Sequence, residues 1–288
     1  MGHYLYIIRM TLMSQQDLPS TIGGVSTMIG IVGSGLDSMI LTRAVREKIP
    51  GVDVLCFGDN MRVFSAAALN PDKIIKAAVQ DTAFLVGLGA RMILIASHTI
   101  SGIAGSAIAG RSGVPVLDIM TPSVNRAALK SRHHRIGIIG SRAVIGCNFY
   151  PEKIREHYPE AGIYSASAPL LASLIEEGWL KKPVTAMIVK KYLLPLKTRQ
   201  IDTLILASTP YLLLIPVIQR KIGKQVQVID GADALAETAA AYLDAHPDIA
   251  SQMPDTGRLQ VMLTWPSNDL EKQAQDILKT RIVEIARP

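Results

Sequence analysis

The stretch IGIVGS at residues 29–34 decides the fold, because it returns as IGIIGS at residues 136–141. A second pair repeats at nearly the same spacing: MILIAS at residues 92–97 is followed by TLILAS at residues 203–208. Solenoid repeats are only about 20 to 50 residues long, and the period here is much longer. The sequence therefore predicts two duplicated lobes rather than a solenoid.

Each repeated stretch is a run of β-branched residues and leucine that ends in Gly or Ser. Such a run is typical of a strand buried on both faces of a parallel sheet. Further strands are predicted at 52–57, 114–119, 162–165 and 226–229, and helices at 37–48, 72–88 and 182–194. This alternation predicts an α/β fold in which each lobe is a mostly parallel, doubly wound sheet flanked by helices. Ligands bind beyond the carboxyl ends of such strands, where the sequence places Ser34, Asp59, Ser97, Ser141 and Ser208.

The composition is that of a protein with large buried cores. Of the 288 residues, 49% are hydrophobic, enough for one large core or two medium ones. No apolar run reaches the roughly 18 to 20 residues of a membrane helix. The richest run, residues 211–218, is interrupted by Pro216. We therefore expect a soluble protein that has no membrane partner.

The formal net charge of +6 raises the question of nucleic-acid binding. The basic residues are scattered, and the one dense run, residues 130–135, has no interleaved aromatic residues or recognition helix. A solvated loop is favoured over a phosphate-binding patch, and no nucleic-acid partner is predicted. The adjacent His133 and His134 are poorly spaced to hold one metal ion, so no metal site is predicted.

Residues 1–28 hold an apolar patch at 4–8, followed by a polar stretch without helical or strand periodicity. They lack the longer apolar region and the cleavage site of a secretory signal. We interpret them as a poorly ordered N-terminal arm and expect a cytoplasmic protein. The two cysteines, Cys56 and Cys147, lie in unlike contexts, which favours two separate thiols over a disulfide.

Several short segments match the glutamate racemase family in order and spacing. They are Gly58-Asp59 followed by Arg62, residues 95–101, 169–178, 192–196 and 202–206, Thr209 with Tyr211, and Asp230-Gly231. The chain therefore resembles a glutamate racemase from residue 29 to about residue 285. The resemblance implies two pseudo-symmetric lobes, residues 29–124 with 234–288 and residues 125–233, with a ligand cleft between them.

The resemblance also implies a chemistry. Glutamate racemases exchange the α-proton of an amino acid between two cysteines on opposite faces, without a cofactor. Ser97 and Ser208 stand at the positions of these cysteines. A thiol with a pKa near about 8.5 can be poised as a base close to neutral pH, whereas a hydroxyl is a poor base without a partner that takes its proton. The resemblance thus implies a racemase fold that lacks both thiols.

Other positions of the expected site also depart from the family. The replacements are Gly33 for an aspartate, His98 for an asparagine, Pro210 for a histidine, Val144 for a threonine, and Phe64-Ser65-Ala66 for Pro-Tyr-Gly. The candidate ligand-binding residues that the resemblance implies are Gly33, Ser34, Phe64, Ser65, Thr99, Ser141, Val144, Glu176 and Thr209. The candidate catalytic positions are Ser97, Ser208 and His98.

Two of these positions allow other interpretations. His98 is either a base toward a ligand or a hydrogen-bonded structural residue. It follows Ser97 directly, and neighbouring side chains on an extended strand point to opposite faces, so a Ser-His nucleophile pair is disfavoured. Gly33-Ser34-Gly35 is like the glycine turn of a dinucleotide site, but Ser38 replaces the third glycine, which disfavours a nucleotide.

Two functional hypotheses follow. The first is a binding or regulatory relative that holds a small carboxylate or amino acid through hydroxyl and backbone donors but cannot perform two-cysteine racemisation. The second is an active racemase, or a related isomerase or decarboxylase, that uses His98, Asp59 or Cys147 as its acid-base group. Serines engineered in place of cysteines are disfavoured, because the other pocket residues differ as well. Neither hypothesis requires a cofactor, and a homodimer stays open.

Overall fold

The chain forms two compact lobes, as the repeats predict. The computed structural model describes residues 5–9, 27–59, 70–264, 268–279 and 282–286. The first lobe comprises residues 1–117 with 236–288, and the second comprises residues 118–235. Each is built on a sheet of parallel strands flanked by helices, which confirms the predicted fold class.

Strands and helices alternate along much of the described part of the chain. The strands are β1 (Leu5–Arg9), β2 (Met28–Gly33), β3 (Val54–Gly58), β4 (Ala90–Ile95), β5 (Val116–Asp118), β6 (Arg135–Gly140), β7 (Gly162–Ser167), β8 (Thr203–Ala207), β9 (Gln227–Ile229), β10 (Leu259–Leu263) and β11 (Ile282–Ala286). The helices are α1 (Leu36–Lys48), α2 (Pro71–Gly87), α3 (His98–Ala109), α4 (Met120–Lys130), α5 (Arg142–Gly146), α6 (Phe149–His157), α7 (Leu170–Glu176), α8 (Pro183–Thr198), α9 (Ile215–Ile222), α10 (Gly231–Ala245), α11 (Pro247–Ala250) and α12 (Asn268–Leu278). A 3₁₀ helix, Thr209–Leu214, lies between β8 and α9.

In the described residues, the sheet of the first lobe has the order β11-β1-β10-β3-β2-β4-β5, and that of the second has the order β7-β6-β8-β9. In the first sheet, the pairs from β11 through to β4 are parallel. All three pairs of the second sheet are parallel. Strands β2, β3 and β8 are buried along their whole length, which explains their continuous apolar sequence.

The sequence repeat is also a repeat of strand pairing. In the first lobe, β2 pairs with β4 so that Ile29 lies opposite Met92. In the second lobe, β6 pairs with β8 so that Ile136 lies opposite Thr203. These four residues begin the four repeated stretches, so the two lobes share one register. The predicted pseudo-symmetry therefore extends to the individual hydrogen-bonded pairs.

Each lobe has its own hydrophobic core, formed where helices cover the sheet. In the first lobe the core includes Val32, Phe57, Leu85, Ile95 and Ile100. In the second lobe the core includes Val124 of α4, Tyr150 and Ile154 of α6, and the strand residues Ile138 and Ile205. The strands are thus held in place by burial, and their carboxyl ends are left for polar residues.

Three local predictions differ from the structure. The boundary predicted at residues 124/125 would divide α4, whereas the observed boundary at 117/118 keeps that helix whole within the second lobe. Its buried residues Met120, Val124 and Ala127 all belong to the second core, which explains the difference. The other boundary lies at 235/236 rather than 233/234.

The N-terminal arm is the second difference. A poorly ordered arm is predicted over residues 1–28, but Leu5–Arg9 forms β1, which lies between β10 and β11 in the first sheet. The prediction is therefore wrong for β1. Residues 10–26 lie outside the described residues.

The third difference concerns helix ends. Helix α2 begins at Pro71, one residue before the predicted start, because the Asn70 side chain accepts hydrogen bonds from the N–H groups of Asp72 and Lys73. Helix α8 continues to Thr198, past its predicted end and past the internal Pro195. Leu193 and Leu196 are buried on either side of that proline, and their packing holds the last turn.

Candidate functional site

The polar residues predicted at strand ends lie where the sequence placed them. Ser34, Asp59 and Ser97 follow the strands β2, β3 and β4, which are neighbours in the first sheet. Backbone hydrogen bonds join these ends: Asp59 N–H donates to the Gly33 carbonyl over 2.9 Å, and Ala96 N–H donates to the Val32 carbonyl over 2.9 Å. The first lobe therefore brings three of the predicted positions to one edge.

A carboxylate that the sequence patterns did not single out organises this edge. Asp37, in the first turn of α1, is 3% exposed. Its Oδ1 accepts the backbone N–H groups of Ser34 and Ser38 over 2.7 and 2.8 Å, and its Oδ2 accepts the Ser34 hydroxyl over 2.9 Å. Asp37 thus holds both donors of Ser34, which is one of the predicted ligand contacts.

Burial raises the pKa of Asp37, and the hydrogen bonds from Ser34 and Ser38 oppose this shift without cancelling it. The structure also explains why Gly33 precedes this turn. A Cβ atom added at Gly33 would lie 2.6 Å from Asp37 Oδ1, which is too close for any side chain. The missing side chain at residue 33 leaves the space that the Asp37 carboxylate fills.

Ser97 and His98 lie at a strand-to-helix junction: Ser97 keeps an extended backbone, whereas His98 is already helical, so the extended strand predicted for both does not reach His98. Ser97 is the N-cap of α3, and its hydroxyl oxygen accepts the Ile100 N–H over 3.4 Å. His98 is the first residue of the helix and is 3% exposed. Burial lowers the pKa of His98 to about 3, so its imidazole is neutral and weakly basic at pH 7.

The remaining predicted positions of the first lobe differ in burial. Asp59 is fully buried, and its Oδ1 accepts the Thr264 hydroxyl over 3.0 Å. Thr99 is half-buried in the first turn of α3. Phe64 and Ser65 lie outside the described residues.

The second lobe carries the corresponding edge. Ser141 is the N-cap of α5, and its hydroxyl oxygen accepts the Val144 N–H over 3.3 Å. Val144 is buried in the second core. Ser208 follows β8 and is half-buried, and Thr209, which begins the 3₁₀ helix, is buried.

Two further side chains of the second lobe belong to the sequence motifs. The Tyr211 hydroxyl donates to the Ala168 carbonyl over 2.8 Å, and burial raises the pKa of Tyr211. Glu176 is the last residue of α7 and is exposed. Partial burial of its carboxyl group and the neighbouring Glu177 raise the pKa of Glu176. The predicted ligand contacts of this lobe are therefore mostly neutral hydroxyls.

Comparison with known proteins decides the family. The profile of the Asp/Glu/Hydantoin racemase family matches residues 39–239, well over half of the chain. This chain belongs to the Asp/Glu/hydantoin racemase family. The resemblance inferred from the sequence motifs is confirmed at this level.

Among proteins of this racemase family, glutamate racemases are similar to the chain. The glutamate racemase of Syntrophus aciditrophicus is 35% identical over 215 residues, which are 75% of this chain and 79% of that protein. The glutamate racemase of Chlorobaculum tepidum is 31% identical over 237 residues, 82% of this chain and 86% of that protein. The crystal structure of the Francisella tularensis glutamate racemase in complex with D-glutamate shares the fold, with a TM-score of 0.81 and 24% identity, over 91% of this chain and 97% of that one.

For a chain of this racemase family, the two cysteines lie in unexpected places. Cys56 is buried within β3, and burial raises the pKa of its thiol to about 11. Cys147 is exposed just after α5. Neither thiol lies within two residues after the end of a strand, as Ser97 and Ser208 do. No helix of the described segments is long and apolar enough to cross a membrane.

Asp37 is the site residue that sequence patterns missed in this racemase-family chain. One signal was present: Ser34 and Asp37 have the Ser-x-x-acid spacing of a capping box, in which the acidic side chain reaches back to the N–H of the serine. The structure shows this contact, because the Asp37 Oδ1 atom accepts the Ser34 N–H. The spacing could therefore have identified the contact of Asp37 with Ser34.

Proposed function

We propose that the chain is a glutamate-racemase-like protein that binds a small carboxylate or amino acid and cannot perform cofactor-independent, two-cysteine racemisation. The observation that carries the proposal is the pair of hydroxyls, Ser97 and Ser208, at strand ends where the family resemblance expects thiols. Family membership supports the fold and the class of ligand.

The chemistry supports the loss of racemisation. Removal of an α-proton near neutral pH requires a base that is partly deprotonated there, and a serine hydroxyl keeps its proton. The Ser97 hydroxyl oxygen accepts the Ile100 N–H as the cap of α3, and no base takes its proton in that contact. The chain holds two cysteines, and the buried one, Cys56, keeps its proton at pH 7 because its pKa is about 11.

An amino acid is the ligand class that the comparisons favour. The Francisella tularensis relative was crystallised with D-glutamate. In the second lobe of this chain, the Ser141 hydroxyl accepts a hydrogen bond from Val144 N–H and can donate its own hydrogen to a ligand oxygen. This edge therefore suits a carboxylate. The cytoplasmic location and the homodimer stay predictions.

The alternative is an active isomerase or decarboxylase that uses His98, Asp59 or Cys147. His98 is a weak base because its pKa is about 3. Asp59 is fully buried and accepts the Thr264 hydroxyl, which ties its carboxylate to the neighbouring strand end. Cys147 is exposed, at the end of a short helix. His98 is thus too weak a base, Asp59 is inaccessible, and Cys147 lies at the end of a short helix rather than after a strand.

The test is exchange of the α-proton in D₂O, followed by proton NMR, with D- and L-glutamate and D- and L-aspartate. We expect the signal of each α-proton to decay no faster with the protein than without it, while calorimetry detects binding of at least one of these amino acids. The double variant Ser97→Cys with Ser208→Cys serves as the matched comparison. We expect little recovery of exchange, because Gly33, His98 and Pro210 also differ from the family. Rapid exchange by the unmodified chain would contradict the proposal.

A further inference from the structure

The second lobe carries the excess positive charge of the chain. Residues 118–235 hold 16 of the 30 lysines and arginines but only 9 of the 24 acidic residues, so the formal net charge of this lobe is +7. The rest of the chain, with 14 basic and 15 acidic residues, has a formal net charge of −1. Such an asymmetry between two parts of a chain indicates an anionic partner for the basic part.

Part of this charge surrounds a cavity of about 960 Å³ at the amino ends of the strands of the second sheet. Among the residues that line it, Asp202 directly precedes β8, and Gln227 begins β9. The candidate ligand contacts Ser141 and Ser208 follow the carboxyl ends of β6 and β8 instead. Because these strands are parallel, the cavity and the two serines lie at opposite edges of the sheet. The cavity is therefore separate from the candidate site of this lobe.

Three helix ends supply four cations to this cavity. Lys130 is the last residue of α4 and Arg132 follows it, Lys197 lies in the last turn of α8, and Lys224 follows α9. The sequence shows the first pair within the basic run at 130–135, and that run taken alone favours a solvated loop. The fold places Lys197 and Lys224 beside it, from distant parts of the sequence. We call this site, defined by these four residues, the basic cavity.

The four cations are not neutralised by acidic side chains. In the described part of the chain, none of the four forms an ion pair. Asp202 is the one carboxylate among the described residues that line the basic cavity. Its Oδ1 accepts the Ser131 hydroxyl over 2.6 Å, and its Oδ2 accepts the His133 N–H over 2.5 Å. Both oxygens of the carboxylate thus already have a partner.

Part of the positive charge balances the helix ends. The C-terminus of a helix carries about half a negative elementary charge, which a lysine or arginine in the last turn offsets. Three such ends amount to about one and a half negative charges, and Asp202 adds one more. The four lysines and arginines exceed this total by about one and a half charges. The basic cavity therefore keeps an excess of positive charge after the structural role of its cations is taken into account.

The rest of the lining strengthens this charge and limits the kind of partner. Ile201, Ile222 and Val226 line the cavity and are buried. An apolar wall beside cations focuses their field, because its dielectric constant is low. No phenylalanine, tyrosine or tryptophan is among the described residues of the lining, so the cavity lacks the stacking surface on which single-stranded nucleic acids are bound.

We propose that the basic cavity is a second binding site, which takes a small anion with several phosphate groups. Cations from three separate segments suit a ligand whose charged groups are also separate, because each phosphate can contact a different segment. The inference goes beyond the proposed function and does not depend on it, since the basic cavity and the candidate site of this lobe share no residue.

The first experiment titrates the unmodified chain with inorganic phosphate and with tripolyphosphate, using calorimetry. We expect tripolyphosphate to bind at least about tenfold more tightly, because its phosphate groups can contact several segments at once. Added salt should weaken this binding, since mobile ions screen the cations. Equal affinities for the two compounds, or no binding of tripolyphosphate, would overturn the proposal.

Adenosine triphosphate carries three linked phosphates on an organic group and distinguishes the source of the ligand. Tighter binding than that of tripolyphosphate supports the proposal with an organic phosphate as ligand. Weaker binding supports it with an inorganic one, provided that tripolyphosphate keeps its advantage over inorganic phosphate.

The second experiment removes two of the cations, by Arg132→Gln with Lys224→Gln. Both side chains are exposed, and neither forms a hydrogen bond or an ion pair in the described residues, so we expect the variant to fold. Tripolyphosphate should bind it at least about tenfold more weakly than it binds the wild-type chain. Circular dichroism and the urea unfolding midpoint establish that the variant is folded. The comparison of phosphates in the unmodified chain stands whether or not it folds.

The matched control is Lys190→Gln with Lys191→Gln. These lysines are exposed on α8, outside the basic cavity, and their replacement removes the same charge from the same lobe. We expect the control to bind tripolyphosphate within about threefold of the wild-type affinity, because exposed charges at a distance are largely screened. An equal loss of affinity in the two variants would show that the charge of the whole lobe attracts the anion, which would overturn the proposal.

A single-stranded oligonucleotide of mixed sequence tests the competing partner. We expect it to bind more weakly than tripolyphosphate, because the lining offers its bases no aromatic surface. Tighter binding of the oligonucleotide that is lost in the variant with Arg132→Gln and Lys224→Gln would assign these cations to a nucleic acid and refute the proposal.

Discussion

The turn after β2 in the first lobe and the turn after β6 in the second begin alike and end differently. Gly33-Ser34 and Gly140-Ser141 occupy the same places in the repeat, but Asp37 in the first lobe corresponds to Val144 in the second. The Asp37 carboxylate takes both donors of Ser34. The Val144 side chain is buried in the core, and Ser141 simply caps its helix.

The comparison shows which parts of a duplicated fold can change independently. The strands of both lobes keep one register because a slip would move their buried side chains to the wrong face. The turns that follow them contribute little to the core, so their polar chemistry can diverge. One lobe presents an edge with a fixed carboxylate, and the other presents an edge with neutral hydroxyls.

The largest expected effect is at the two glycines. Gly33→Ala and Gly140→Ala should each lower the free energy of unfolding by about 1–3 kcal/mol, because both add a Cβ where there is no room. At Gly33 the new atom would lie 2.6 Å from the Asp37 side chain, whereas at Gly140 it would lie 2.9 Å from the backbone oxygen of Ala207. We expect Asp37→Ser to relieve much of the first effect. Urea unfolding of the single and double variants measures the coupling.

The control for this prediction is Val144→Ala in the Gly140→Ala background. We expect these two effects to add, because the obstacle at Gly140 is a strand backbone that a change at Val144 cannot move. Additive effects of Gly33→Ala and Asp37→Ser would show that the Asp37 carboxylate is not what excludes a side chain at residue 33.

A smaller difference is expected between the two serines at the family's cysteine positions. Ser97→Ala removes the N-cap of α3 and should lower the free energy of unfolding by about 1 kcal/mol. Ser208 makes no side-chain cap for the helix that follows it, so Ser208→Ala should have a smaller effect. The urea midpoints of the two variants measure this difference, provided that the slope of the unfolding free energy against urea concentration is the same for both. Equal midpoints would contradict it.

The smallest expected effect is the pH dependence of two aspartates, one in each lobe. Burial raises the pKa of Asp37 above 3.8. Its contribution to stability is therefore full below the unfolded pKa and declines as the pH rises through the folded pKa. Burial also tends to raise the pKa of Asp202, but hydrogen bonds from the Ser131 hydroxyl and the His133 N–H group outweigh it, so that pKa is lowered. Its contribution is present above the unfolded pKa and is lost as the pH falls through the folded pKa.

Unfolding of Asp37→Asn and Asp202→Asn at a series of pH values tests these opposite signs. As the pH rises, the stability advantage of the wild-type chain over Asp37→Asn should shrink, and its advantage over Asp202→Asn should grow. Two curves with the same slope would refute the assignment of opposite pKa shifts.

The repeats made the strands predictable, because buried parallel strands have continuous apolar sequences that can be recognised one at a time. They did not reveal β1, whose strand neighbours β10 and β11 come from the other end of the chain. The repeats also predicted that the strand continues through Ser97 and His98, whereas it ends at Ile95 and a helix begins at His98. The local sequence pattern indicates a helix or a strand, whereas the residues at which that helix or strand ends depend on capping hydrogen bonds and on the neighbouring elements.

The amino-acid sequence by itself determined the two lobes, their parallel sheets and the presence of hydroxyls where thiols were expected, since these depend on residue type and period. Only the tertiary structure decided which hydrogen-bond donors remain for a ligand. That outcome depends on the Asp37 carboxylate, three residues along the chain, reaching both donors of Ser34 through the space beside Gly33. A hydrogen bond requires atoms to meet at the right distance and angle, and the order of residues alone does not specify that meeting.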